Sequence, residues 1–142
     1  MTRDFAGEIR DGRLPNGKRL FVTIEPMHGV KASVYVEPDE AGAGWSRHSV
    51  LDDALIDGHA LAVADYLGLG SDQIVVGWRA FHPVGKPGIK LFTPLDEDGT
   101  RWRETRISDT EVAVEDIKVG DLNGDGRPDI VAAARQTKNL KI

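Results

Sequence analysis

The segment DLNGDGRPDIVAAA, from Asp121 to Ala134, constrains this chain most, because a tight loop rich in oxygen donors runs straight into an apolar strand. Asp121, Asn123, Asp125 and Asp129 place side-chain oxygens at the first, third, fifth and ninth positions of that loop, and the carbonyl of Arg127 falls at the seventh. Hard oxygen donors in that spacing suit Ca²⁺, which takes six to eight oxygens in flexible geometry. Gly124 and Gly126 let the backbone curl tightly, because glycine reaches positive φ without steric cost. An EF-hand would need a bidentate Glu at its twelfth position, where this chain has Ala132. The spacing therefore predicts a strand-to-strand metal loop. An Asp/Gly-rich turn without metal is the alternative, but four spaced donors and two glycines exceed what a turn requires.

The rest of the chain reads as all-β. Its 142 residues suit one domain, and short Val/Ile-rich runs alternate with turn residues, among them 16 glycines. A formal net charge of -5 gives a nucleic-acid partner no electrostatic support. There is no cysteine for a disulfide scaffold and no apolar run long enough to cross a bilayer. The first residues, MTRDFAGEIRDGRL, lack an apolar export segment.

Self-similarity then divides the chain. ALAVADYLGLGSDQIVVGWR, from Ala60, lies over DIKVGDLNGDGRPDIVAAAR, from Asp116, with Asp65 on Asp121, Gly68 on Gly124, Gly70 on Gly126 and Ile74 on Ile130, an ungapped offset of 56 (121 − 65). SVYVEPDEAGAGWSRHSVLDD lies over KLFTPLDEDGTRWRETRISD, matching Trp45 with Trp102 at an offset of 57 (102 − 45). A third, weaker correspondence sets GKRLFVTIEPMHG on GSDQIVVGWRAFHP. Each unit reads as four strands, which at this repeat length is the pattern of a propeller blade. The tryptophans open the fourth strands and are expected to pack between blades. The expected division is a partial blade over residues 1–53, a full blade over 54–109, and the start of a further blade over 110–142. Four to eight blades close a propeller, so the chain reads as a fragment of a longer one.

With these residues in hand, the loop and blade resemble the FG-GAP/VCBS repeat family, whose blades also build the integrin α-subunit propeller. The resemblance implies an all-β partial propeller of four-stranded antiparallel blades. It implies Ca²⁺ held between first and second strands, an extracellular or periplasmic setting, and a glycan or protein ligand. The remaining blades of the parent would be its partners. The equivalent loop of the preceding unit has Leu67, Leu69 and Gln73 at the third, fifth and ninth positions, leaving Asp65 alone, so it is expected to be metal-free.

Strand alternation sends other polar residues to the opposite face. If each first strand runs toward the metal loop, then Glu25, His28, His59, Arg79, His82, Glu115, Asp116 and Arg135 share the other end, with His59 and Glu115/Asp116 at the channel mouth. His48 falls on an outer strand and is excluded. Two readings stand: solvated turn-capping residues, or ligands for Zn²⁺ or another divalent metal.

EPMHG, GHALAVAD and ARQTKNLKI further resemble FG-GAP propellers similar to the propeller part of aldos-2-ulose dehydratase/isomerase. That resemblance implies a metal-dependent sugar dehydratase, a carbon–oxygen lyase. His28, His59 and Asp116 would be metal ligands, Glu115 the base, and Arg79 or Arg135 a clamp on substrate oxygens. No nucleophile elbow and no Walker-type loop is present.

Overall fold

The computed structural model describes residues 6–80 and 85–142. Among these the chain forms eleven strands and no helix. The first sheet holds β1 (Glu8–Arg13), β2 (Arg19–Glu25), β3 (Lys31–Val36) and β4 (Ser46–Asp52) in sequential order. The second holds β5 (Gly58–Ala64), β6 (Gln73–Trp78), β7 (Gly88–Pro94) and β8 (Trp102–Ser108) in the same order. The third holds β9 (Val114–Gly120), β10 (Asp129–Ala134) and the short β11 (Asn139–Lys141). Every pairing is antiparallel. Strands β1, β5 and β9 lie beside one another, so they are innermost and the sheets fan outward as propeller blades.

Residues 1–53 were expected to hold an incomplete unit, yet the sheet within them has four strands. Glu8–Arg13 pairs in unbroken register with Arg19–Ile24. The sequence EIRDGR hides this strand because Ile9 is its one large apolar residue.

Period-two alternation sorts the side chains into two cores. In β6, Ile74, Val76 and Trp78 join the core between blades 1 and 2, while Val75 joins the one between blades 2 and 3. Strand β5 divides alike, with Leu61 and Val63 on the first side and Ala60 and Ala62 on the second. All six residues of β6 are buried, as a strand covered on both faces requires. Gly77 lets blade 3 approach, since a Cβ there would stand 2.7 Å from Val114 Cγ1. Trp102 packs against the first core, as expected of a residue between blades, and its indole N–H donates to the Gly99 carbonyl at 2.9 Å.

Glu25 does not reach the channel face. It lies on the outer face of blade 1, is 5% exposed, and accepts hydrogen bonds from Thr23 Oγ1 (2.6 Å), Tyr35 Oη (2.6 Å) and Arg47 Nη2 (2.8 Å). Burial by itself would raise its carboxyl, but the two hydroxyls and the guanidinium outweigh that and hold it below the ordinary range. A carboxyl lowered in the folded state gives its full stabilisation above the unfolded-state value, about 4.3 for Glu. That stabilisation is lost as pH falls through the lower folded value. Glu25→Gln should therefore cost about 1–3 kcal/mol at neutral pH. The gap in Tm from the wild type should close as pH drops below about 4. Thermal melts across pH check this, and a gap constant with pH would contradict the assignment.

Candidate functional site

The loop joining β9 to β10 begins at Asp121 and ends at Asp129. Gly124 and Gly126 sit at φ 77° and 85°, the left-handed conformation the turn demands. Backbone N–H groups turn the acidic side chains inward. Asp121 Oδ1 accepts from Gly124 N at 2.7 Å and from Asp125 N at 3.1 Å, and its Oδ2 accepts from Gly126 N at 2.9 Å. Asn123 Oδ1 accepts from Asp125 N (2.9 Å), Asp125 Oδ1 from Arg127 N (2.8 Å), and Asp129 Oδ2 from Leu122 N (2.8 Å). Among the described residues, no three His, Cys, Asp or Glu side chains are already drawn onto one point that could hold a metal ion. The donor chemistry nevertheless fits Ca²⁺: three carboxylates, one amide oxygen and one carbonyl, on a turn that is exposed from Asp121 to Arg127 and ends at the half-buried Asp129.

The sister loop between β5 and β6 places a side-chain amide at the corresponding point. Asp65 again accepts backbone N–H groups, from Leu69 and Gly70, both at 2.8 Å. Gln73, at 0% exposure, stands where the other loop has Asp129. Its Nε2 donates to the Ser71 carbonyl at 2.7 Å and reaches Asp65 Oδ1 at 3.5 Å. Those two oxygens are the repeat counterparts of the Arg127 carbonyl and the Asp121 carboxylate. An amide thus supplies the positive partial charge in one loop. In the other, Asp129 offers only a further acceptor.

At the opposite end, residues from three blades meet. Arg79, after β6, clamps Asp57 with Nε and Nη2, both at 3.0 Å. Its Nη1 donates to Glu115 Oε2 and Oε1 at 3.1 and 3.3 Å, and its Nη2 lies 3.5 Å from His28 Nδ1. His59 Nε2 lies 3.1 Å from Glu115 Oε2, and the His28 and His59 rings meet edge to face at 4.5 Å. Arg135 Nε approaches Glu115 Oε1 at 3.7 Å. Among the described residues, His59 Nδ1 is buried without a hydrogen-bond partner.

Local backbone irregularity delivers this convergence. Register shifts between Gly58 and Ala60 make His59 a bulge residue, and a shift opposite Ala133/Ala134 does the same for Glu115. A bulge re-aims the side chain it carries. His28, Asp57 and Ala80 hold φ of 55°, 60° and 53°, uncommon for residues with a Cβ. Backbone bonds from Arg79 N to Asp57 O and from Gly58 N to Gly29 O tie these turns together.

The structure thus brings His28, His59, Arg79, Glu115 and Arg135 together, and adds Asp57, which sequence reasoning missed. It does not bring Asp116 to them. Asp116 is exposed and pairs with Lys118 at 3.3 Å, because neighbours on a strand point to opposite faces. His82 lies outside the described residues. His48 lies on β4, an outer strand, as expected.

Two substitutions test these local arguments. Gln73→Glu replaces the amide donor by an acceptor facing Asp65. It should destabilise by about 1–3 kcal/mol in chelator, with part of that loss recovered in millimolar Ca²⁺. Thermal melts in both conditions read this, and a loss indifferent to Ca²⁺ would remove the cation analogy. Arg79→Met strands the carboxylates of Asp57 and Glu115 and should cost about 3–5 kcal/mol. Adding Glu115→Gln should return part of it, and strict additivity in denaturant unfolding would contradict the coupling.

Residues 113–139 match the model of the FG-GAP repeat. No curated protein and no solved structure matches the chain. The matched stretch runs from just ahead of β9, through the Asp121–Asp129 loop and β10, to the first residue of β11, and so covers the blade in which the oxygen donors are intact.

Proposed function

We propose that this chain is a calcium-stabilised propeller module, part of a larger propeller that binds a glycan or protein ligand. Ca²⁺ would be held by the side chains of Asp121, Asn123, Asp125 and Asp129 and by the carbonyl of Arg127. The observation that carries this is the contrast between the sister loops. Gln73 closes one with an amide directed at Asp65, while Asp129 in the same place adds a carboxylate, and the Asn123 amide of that loop reaches only Asp125. Bound Ca²⁺ would neutralise those oxygens and fix the turn from β9 to β10.

The channel-face network is read as a pin between blades rather than as a lyase centre. Arg79 and His59 already take up the Glu115 oxygens that a general base would need. Asp116, the remaining ligand of a His28/His59 Zn²⁺ site, lies on the other face of β9. One guanidinium instead spans Asp57 of blade 2 and Glu115 of blade 3, beside His28 of blade 1.

A cation that binds only the folded state stabilises by mass action, about 2.7 kcal/mol at a hundredfold excess over Kd. Melting curves in Ca²⁺ and in EGTA should therefore differ for the wild type and coincide for Asp121→Ala/Asp125→Ala. No shift in the wild type, or an equal shift in the variant, would sink this reading.

A further inference from the structure

On the face that carries the metal loop, a cleft of about 260 Å³ opens between blades 1 and 2. The turn from β1 to β2 gives it Asn16 and Lys18, β3 ends in it at Val36, and the loop after β3 adds Asp39. The turn from β7 to β8 closes it with Asp98 and Thr100. His48 enters it from β4 by way of a bulge. Val34 pairs with Ser49 and Tyr35 with Arg47, which leaves His48 as the extra residue. Arg47 therefore turns to Glu25 on the outer face of blade 1, Ser49 Oγ donates to the Gly99 carbonyl of blade 2 at 3.2 Å, and His48 lines the cleft.

Bonds between the two blades hold the walls. Asn16 Nδ2 donates to Asp98 Oδ1 at 3.0 Å, Asn16 N to the Glu97 carbonyl at 3.3 Å, and Asn16 Oδ1 accepts from Lys18 N at 2.9 Å. Lys18 Nζ pairs with Asp39 Oδ1 at 2.6 Å. Thr100 is fixed by Asp96, to which its N–H and its hydroxyl both donate. Capacity remains after these bonds: a second oxygen on Asp39 and on Asp98, further N–H donors on Lys18, and lone pairs on the Thr100 hydroxyl. Among the described residues, the His48 imidazole has no hydrogen-bond or ion-pair partner. The blade scaffold does not call for these basic side chains. The offset that sets Gly17 on Gly70, 53 (70 − 17), puts Ser71 where Lys18 stands, and the offset of 57 that matches the tryptophans puts Thr105 where His48 stands.

We propose that this cleft binds one neutral sugar ring of a glycan, so the inference rests on the glycan part of the functional reading and gives it a place. A sugar hydroxyl donates and accepts at once, and the lining offers both roles within one ring's reach. Asp39 and Asp98 only accept, Lys18 only donates, and the His48 ring does both. Val36, packed on the core between the blades, gives a C–H face an apolar floor. One ammonium set against two carboxylates leaves no surplus positive charge to hold an anion. Nor do three His, Cys, Asp or Glu side chains among the described residues converge as a metal ion would need. The volume falls below the range of about 300–1,000 Å³ for drug-sized ligands, which suits a single ring.

Amide-resolved NMR of the ¹⁵N-labelled full chain tests this, with the methyl glycosides of glucose, galactose, mannose, fucose and N-acetylglucosamine as probes. At least one should give saturable shifts concentrated at the amides of residues 14–18 and 97–100 and of His48. For that glycoside, His48→Ala and Asp98→Ala, both at exposed positions, should each weaken binding at least tenfold while the amide dispersion of the folded chain persists. His48→Ala removes no hydrogen bond of the fold, so it still decides the matter if Asp98→Ala loosens the Asn16 turn. Binding at those amides that His48→Ala leaves unchanged, or shifts confined to other amides, overturns the cleft and leaves the glycan reading standing. No response to any glycoside overturns the cleft and the glycan reading together, while the Ca²⁺ melts judge the metal loop separately. Inorganic phosphate or Zn²⁺ shifting these amides when no glycoside does gives the cleft to an ion, and overturns the proposal as well.

Discussion

A strand buried on both faces has to satisfy two neighbours at once, and β6 is where this chain meets that demand. Ile74, Val76 and Trp78 face one sheet and Val75 the other, while Gly77 gives up its side chain to admit Val114. Each apolar face removes area worth about 25 cal/mol per Å² from water. That gain is available only if sheets stack in sequence, face to back. Stacking in turn fixes β1, β5 and β9 side by side and sends corresponding strand ends to common faces. The channel-face network follows from this packing: Asp57 and Glu115 are far apart in sequence, yet Arg79 touches both.

Converging oxygens are balanced here by different means at different places. Arg79 neutralises two carboxylates at the channel mouth, and the Gln73 amide closes the β5–β6 loop. Asp65 shows how far backbone donors go. Burial would raise its carboxyl, yet the Leu69 and Gly70 N–H groups hold it low. The loop at Asp121 keeps the same backbone donors but places Asp129 where Gln73 stands, adding charge rather than offsetting it. Between sister loops of one repeat, that exchange separates a turn closed by a buried amide from one that gathers three carboxylates.

Much of this was legible in the sequence because repeats share geometry. The strands after each loop, the tryptophan-led fourth strands and the spacing of Asp121 to Asp129 all carry period or register in their residue types. What was missed depends on pairing. Strand β1 lacks an apolar signal, since EIRDGR earns its place through hydrogen bonds to β2. Glu115 and Asp116 were both expected beside His59, yet only Glu115 is its neighbour, because a bulge decides which of the two turns inward. The offset of 56 (115 − 59) sets Glu115 on His59 and could have settled the choice. Asp57 gave no such sign, since its position follows from a left-handed turn that its residue type does not announce. Glu25 was assigned to the channel face although it lies in β2. Alternation along β2 sends it to the sheet face that Thr23 occupies.

Strand register also gives the stack a direction. Glu25 is the counterpart of Trp78, so the outer face of blade 1 carries Thr23, Glu25, Tyr35 and Arg47 where blade 2 carries Ile74, Val76, Trp78 and Phe92. That face is mixed: Glu25 is held by three donors, while Phe21 and Trp45 stack beside them at 4.6 Å and Ile9 is 55% exposed. On blade 3 the innermost strand shows Asp116 and Lys118, an ion pair, where blade 2 buries Ala60 and Ala62.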